Sequence, residues 1–95
     1  MAAYVIVNDQ VTDPNTFSEF RQQVAATVES HGGRYLVRGG SAEVVEGSWS
    51  PDRIVVIEFD NVGAARAWLN SPEYNAVKNI RQRSANANII VVDGV

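Results

Sequence analysis

The chain begins with a run rich in β-branched and aromatic residues, Ala3 to Val11 (AYVIVNDQV), which predicts a first strand. Asp13 followed by Pro14 marks a helix start, pairing an oxygen that accepts from an early N–H with a residue that lacks the N–H a helix leaves orphaned. Phe17, Phe20, Val24 and Val28 then recur at spacings of three and four, giving one apolar stripe, and Gly32 ends the helix. A second strand is expected from about Arg34 and a third over Arg53 to Asp60 (RIVVIEFD). Helical spacing resumes with Val62, Ala65, Trp68 and Leu69, and Ser71 and Pro72 re-initiate it. Val77 and Ile80 continue the buried stripe, and Asn88 to Gly94 (NIIVVDG) is expected to close the chain as a fourth strand.

Strand, helix, strand, strand, helix, strand is the ferredoxin-like split arrangement: an α+β fold with a four-stranded antiparallel sheet and two helices on one face, expected to fill residues 1–95 as one domain. Side chains alternate across a strand, so parity sorts them. Val5, Val7, Tyr35, Val37, Val55, Ile57 and Phe59 form one set; Tyr4, Ile6, Leu36, Ile54, Val56, Ile90 and Val92 form the other. Both sets are apolar, and two helices shelter only one. A bare face of that size exceeds what monomers normally expose, so a homodimer through the helix-free sheet face is expected.

Charge narrows the range of partners. A net charge of −3 opposes nucleic-acid binding, which needs a basic surface to displace counterions from phosphates, and opposes anionic membranes for the same reason. No stretch reaches the roughly 18 apolar residues that cross a bilayer, and MAAYVIVNDQ lacks the basic start of a signal peptide. A cytoplasmic protein is the expectation. Without cysteine and with one histidine, a dedicated metal site or other cofactor is not expected.

Candidate chemistry lies on the helix-free set, where Asn8, Arg34, Arg38 and Glu58 share a register, with Asn8 and Glu58 expected at similar heights. Either Arg34 or Arg38 would stand opposite Glu58. These groups read as a small-molecule pocket between facing sheets or as an ion pair that satisfies itself. His31 reads as a cap on the first helix or as a general base or ligand at the sheet's rim, with either His31 or Glu58 as the group that would move a proton. Trp68 and Tyr74 wall a pocket or simply fill the core. Arg81 reads as a solvated charge with its stem on the core. Trp49, in a loop, suggests a lid or a subunit contact. The pairs Gly32-Gly33 and Gly39-Gly40 punctuate a strand, the second pair as a bulge; a phosphate cradle would lead into a helix N-terminus, and this segment leads out of a helix.

The stretches GGRYLVRGG, EVVEGSW with the following SPDRIVVIEF, ARAWLNSPEY and NIIVVDGV together resemble the family called domain of unknown function 1330, of the dimeric alpha-beta barrel superfamily, over essentially the whole chain. The resemblance implies a ferredoxin-like subunit and a barrel formed by two facing sheets, and it implies no activity. Wider relatives include cofactor-free monooxygenases of aromatic polyketides, muconolactone isomerases, haem-handling enzymes and stress-response proteins, so fold alone does not decide function. Two readings stand. One is a small cofactor-independent enzyme, of isomerase or monooxygenase type, acting on an organic acid or aromatic. The other is a non-catalytic small-molecule-binding or stress-response dimer.

Overall fold

The computed structural model describes residues 1–95. Its elements run β1 (Ala3–Val11), α1 (Pro14–Ser30), β2 (Arg34–Arg38), β3 (Arg53–Phe59), α2 (Val62–Leu69), α3 (Pro72–Ser84) and β4 (Ala85–Asp93). The four strands form one antiparallel sheet in the order β2-β3-β1-β4, the ferredoxin-like topology expected from the pattern. No helix is long and apolar enough to cross a membrane.

Each helix starts on a residue chosen by capping chemistry. Asp13 Oδ1 accepts from the Thr16 amide at 3.2 Å, Asn61 Oδ1 from Ala64 at 2.8 Å and Ser71 Oγ from Tyr74 at 3.1 Å, each satisfying an otherwise orphaned first-turn donor. Asn70 interrupts the second helical stretch, so the expected pair of helices is three: the chain turns at Asn70 and restarts on Ser71. At the end of α1, Gly32 takes φ 74°, a left-handed conformation that costs glycine nothing. The next residue, Gly33, passes against the core: a Cβ there would stand 2.7 Å from Phe59 Cε1 and 2.8 Å from Val28 Cγ1.

The core lies between the helices and the odd-numbered sheet positions. Val5, Val55, Ile57 and Phe59 are buried against Phe17, Phe20, Val24 and Val28 of α1, with Trp68 and Tyr74 closing the other side. Phe59 and Trp68 rings stack at 5.5 Å, and Trp68 and Tyr74 lie 4.4 Å apart. The opposite sheet face carries no helix, and Leu36, Ile90 and Val92 remain 50%, 55% and 39% exposed.

Three expectations about the strands are corrected. The bulge in β2 falls at Leu36, between the pairs Tyr35↔Ile57 and Val37↔Val56, not at Gly39-Gly40. One extra residue there reverses parity for the rest of the strand, so Val37 leaves the core set and Arg38 turns to the helix side. Asn8 and Glu58 are also at opposite ends of the sheet: β1 and β3 are antiparallel, which pairs Asn8 with Ile54 and Glu58 with Tyr4. Finally, β4 begins at Ala85, before the expected Asn88, because the polar segment Ala85 to Ala87 pairs with Val11 to Asp9 despite its low strand propensity.

Candidate functional site

A chamber opens inside the subunit, between the sheet and the helices, with ≈ 40 Å³ available to the centres of water-sized molecules. Val7, Val55 and Ile57 form its floor, and Val24, Trp68 and Tyr74 form much of its wall. Trp68 is fixed by its indole N–H, which donates to Thr27 Oγ1 at 2.9 Å, while that hydroxyl donates to the Val24 carbonyl at 2.7 Å. A wider groove of ≈ 290 Å³ beside Val11, Pro14 and Phe17 shares Arg21 and Arg53 with the chamber, making those two arginines its mouth.

The charged groups of the chamber are one carboxylate and four guanidinium groups: Asp9 with Arg21, Arg38, Arg53 and Arg81. Half of the eight basic residues of an otherwise acidic chain thus converge on one cavity. Asp9 is only 3% exposed because it continues the inward set of Val5 and Val7. Arg53, directly across the ladder, donates from Nη1 to Asp9 Oδ2 at 3.4 Å. The other carboxylate oxygen, Oδ1, has no partner, and neither does the Nε of Arg81, which is 9% exposed. Native interiors rarely leave such atoms unsatisfied.

Burial pushes the Asp9 carboxyl above its usual range and outweighs the attraction of Arg53 and Arg81. Burial likewise lowers Arg53 and raises the Tyr35 phenol. Arg38 lies with its Cζ 4.6 Å above the Tyr35 ring and donates from Nη2 to the Arg21 carbonyl at 2.8 Å, which ties β2 to α1. Arg53 Cζ lies 5.3 Å over the Phe17 ring. The arrangement suits a small anion with an apolar body: ten of fifteen surrounding residues are hydrophobic, and the polar ones are overwhelmingly cationic.

The structure distributes the residues expected to form a site. Arg38, Trp68 and Tyr74 meet around the chamber. Arg34 pairs with Glu58 on the helix-free face, which answers which arginine stands opposite that carboxylate. Asn8 is on that face too, but its amide closes on Asp52, donating from Nδ2 to Oδ2 at 3.1 Å and accepting from the Asp52 amide at 2.8 Å. His31 caps α1: its Nδ1 lies 2.9 Å from the Thr27 carbonyl and its Nε2 4.0 Å from Glu73, remote in sequence and contact from Glu58. Trp49 is exposed in the loop between β2 and β3 and lines neither the chamber nor the groove. Arg81, expected in solvent, is buried on the stripe Tyr74, Val77, Arg81, Ser84. No group of three or more histidines and carboxylates gathers as a metal cage would require.

Asp9, Arg21, Arg53 and Arg81 are the site residues that reading for a helix-free pocket passes over. The signal was present: Asp9 and Arg53 are in phase with the inward apolar positions of their strands, and Arg81 is one turn beyond Val77. A charge in phase with the core is either paired or functional.

Comparison with solved structures gives the same fold at low identity. A protein of unknown function from Rhodopseudomonas palustris superposes with a TM-score of 0.81 at 13% identity, covering 99% of this chain and 82% of that one. A dimeric ferredoxin-like protein of unknown function from Jannaschia sp. CCS1 gives 0.73 at 11%, covering 99% and 100%. SnoaB, a cofactor-independent oxygenase from Streptomyces nogalater, gives 0.62 at 12%, covering 99% and 91%. No curated protein sequence matches. The family described as domain of unknown function (DUF1330) matches residues 2–95, and the chain belongs to that family.

Proposed function

We propose that the protein binds a small organic acid in the chamber between helices and sheet and catalyses an isomerase-type proton transfer on it, with Asp9 as the acid and base. The observation that carries this reading is the pair of buried, unpartnered atoms, Asp9 Oδ1 and Arg81 Nε, on two residues that line one cation-rich cavity. Arg81 binds the carboxylate or the enolate oxygen, and Arg21 and Arg53 at the mouth draw the anion in. A proton passes between Asp9 and one carbon of the acid while an equivalent proton moves the other way at a second position, so the exchange balances without change of oxidation level. A raised carboxyl pKa brings the acid and base forms closer to the pH at which such a residue works. The apolar walls favour an aliphatic or aromatic body over a polyol.

The assembly that goes with this reading is a homodimer through the helix-free face. The exposed apolar residues Leu36, Ile90 and Val92 support it, as does the description of several structural neighbours as dimeric. Since the chamber lies on the other side of the sheet, each subunit carries a whole site.

The test uses 2-oxobutyrate in deuterated water, with exchange at its C3 carbon followed by proton NMR, and acetate and benzoate as binding probes followed by the Arg Nε–H resonances. Accelerated exchange that Asp9→Asn abolishes supports the enzyme. Resonance shifts without exchange support binding alone. Absence of both with all three acids overturns the reading.

A further inference from the structure

We infer that the chamber takes up its acid together with one proton, which resides on Asp9 Oδ1 while the ligand is bound. The inference rests on the proposed anion site and adds the protonation state in which that site is filled. Its basis is the hydrogen-bond inventory of the cavity. Asp9 Oδ2 already accepts from Arg53, whereas Oδ1 has no donor. Arg38 spends a donor on the Arg21 carbonyl and rests on Tyr35, so it does not reach Oδ1. Arg81 influences Asp9 through space, yet no ion pair joins them within 4.0 Å, and its Nε–H is unused.

An anion entering this space meets two lining residues, one with an orphaned donor and one with an orphaned acceptor. The donor suits it; the acceptor repels it. A second carboxylate set beside Asp9 Oδ1, the oxygen that no cation contacts, disfavours ionisation of both, and the favoured arrangement shares a proton between them. With Oδ1 protonated, its O–H donates to one ligand oxygen while Arg81 Nε–H donates to the carboxylate as well, and both unsatisfied atoms find partners in a single ligand. Asp9 is predisposed to this because burial already favours its neutral form. The charged and titratable groups around it are Arg53 from β3, Tyr35 and Arg38 from β2, Arg21 from α1, and Tyr74 and Arg81 from α3; α2 and β4 contribute only Trp68 and Ile89 to the chamber. None of these is a second acid that competes for the proton near neutral pH, because the phenol of Tyr35 is pushed upward and the guanidinium groups stay charged. Where exchange at a carbon follows, Asp9 first gives up this proton and then takes the carbon-bound one.

The experiment is calorimetric titration of the full chain with benzoate, and separately acetate, at pH 7 in HEPES, imidazole and Tris, whose ionisation enthalpies differ. The expected result is close to one proton taken up per acid bound, and an affinity that falls about tenfold per pH unit above the Asp9 pKa. Asp9→Asn is expected to bind benzoate with no proton uptake and no such pH slope. Wild-type titration across pH, together with the Asp9 carboxyl carbon resonance with and without benzoate, gives the same answer without the variant. Binding with no proton exchanged, or uptake that persists in Asp9→Asn, overturns this inference and leaves the anion site standing. Absence of binding by both acids overturns the two together.

Discussion

Asp9 and Arg53 face each other across β1 and β3 but are unequally buried, with side chains 3% and 20% exposed, so removing one is not equivalent to removing the other. In Arg53→Met the methionine keeps the stem's apolar volume, while the Asp9 carboxylate loses its only hydrogen-bond donor. An uncompensated buried charge costs about 3–5 kcal/mol, a large part of the roughly 5–15 kcal/mol that separates a folded domain from its unfolded chain. In Asp9→Asn the shape survives, the buried charge is gone, and Arg53 still reaches water through the groove it lines. That variant is expected to match or exceed wild-type stability. Urea unfolding distinguishes the two: with a slope of about 1–3 kcal/mol per molar, the Arg53→Met midpoint falls by at least roughly 1 M. The pH dependence follows from the direction of the Asp9 shift. Burial raises its folded pKa above 3.8, so the folded chain holds a proton that the unfolded chain has released, and stability declines as pH rises through that window. Losing Arg53 raises the folded pKa further. The Arg53→Met deficit is therefore smaller at pH 4 than at pH 7. An equal deficit at both values, or an Asp9→Asn variant as damaged as Arg53→Met, would refute the reasoning.

Gly33→Ala forces a methyl against Phe59 and Val28 in the fully buried core and is expected to cost about 1–3 kcal/mol by overpacking, whereas Gly40→Ala, with open space around it, is neutral or slightly stabilising in the same thermal melt. Ser71→Ala removes the cap of α3 and the hydroxyl bond to the Trp68 carbonyl at 2.7 Å; a loss of about 1–2 kcal/mol in chemical denaturation is expected. Val56→Asp, on the helix-free face, is expected to yield a folded single subunit by sedimentation while benzoate still shifts the arginine resonances; a dimer that persists would exclude that face as the interface.

Fold was legible because every element announces itself locally. Asp13 with Pro14 and Ser71 with Pro72 mark helix starts, and the stripe from Phe17 to Val28 has a single period. What escaped reading is what depends on register. Arg38 is four residues after Arg34, which in an uninterrupted strand puts both on one face; the extra residue at Leu36 has no sequence mark, since leucine is an ordinary strand residue. The heights of Asn8 and Glu58 needed the direction of pairing between β1 and β3. Asp9, by contrast, was readable from its phase with Val7. The apolar excess of the bare face masks the polar residues aimed at the covered one.

The sheet in this subunit acts as a partition. Even positions of β1 and β3 speak to whatever lies outside the subunit, and odd positions speak to the chamber, so each of the two surfaces can be rewritten without editing the other. The kink at Leu36 is the one crossing point: shorten β2 by that residue, and the guanidinium of Arg38 changes sides, stripping a cation from the chamber and planting it on the apolar helix-free face.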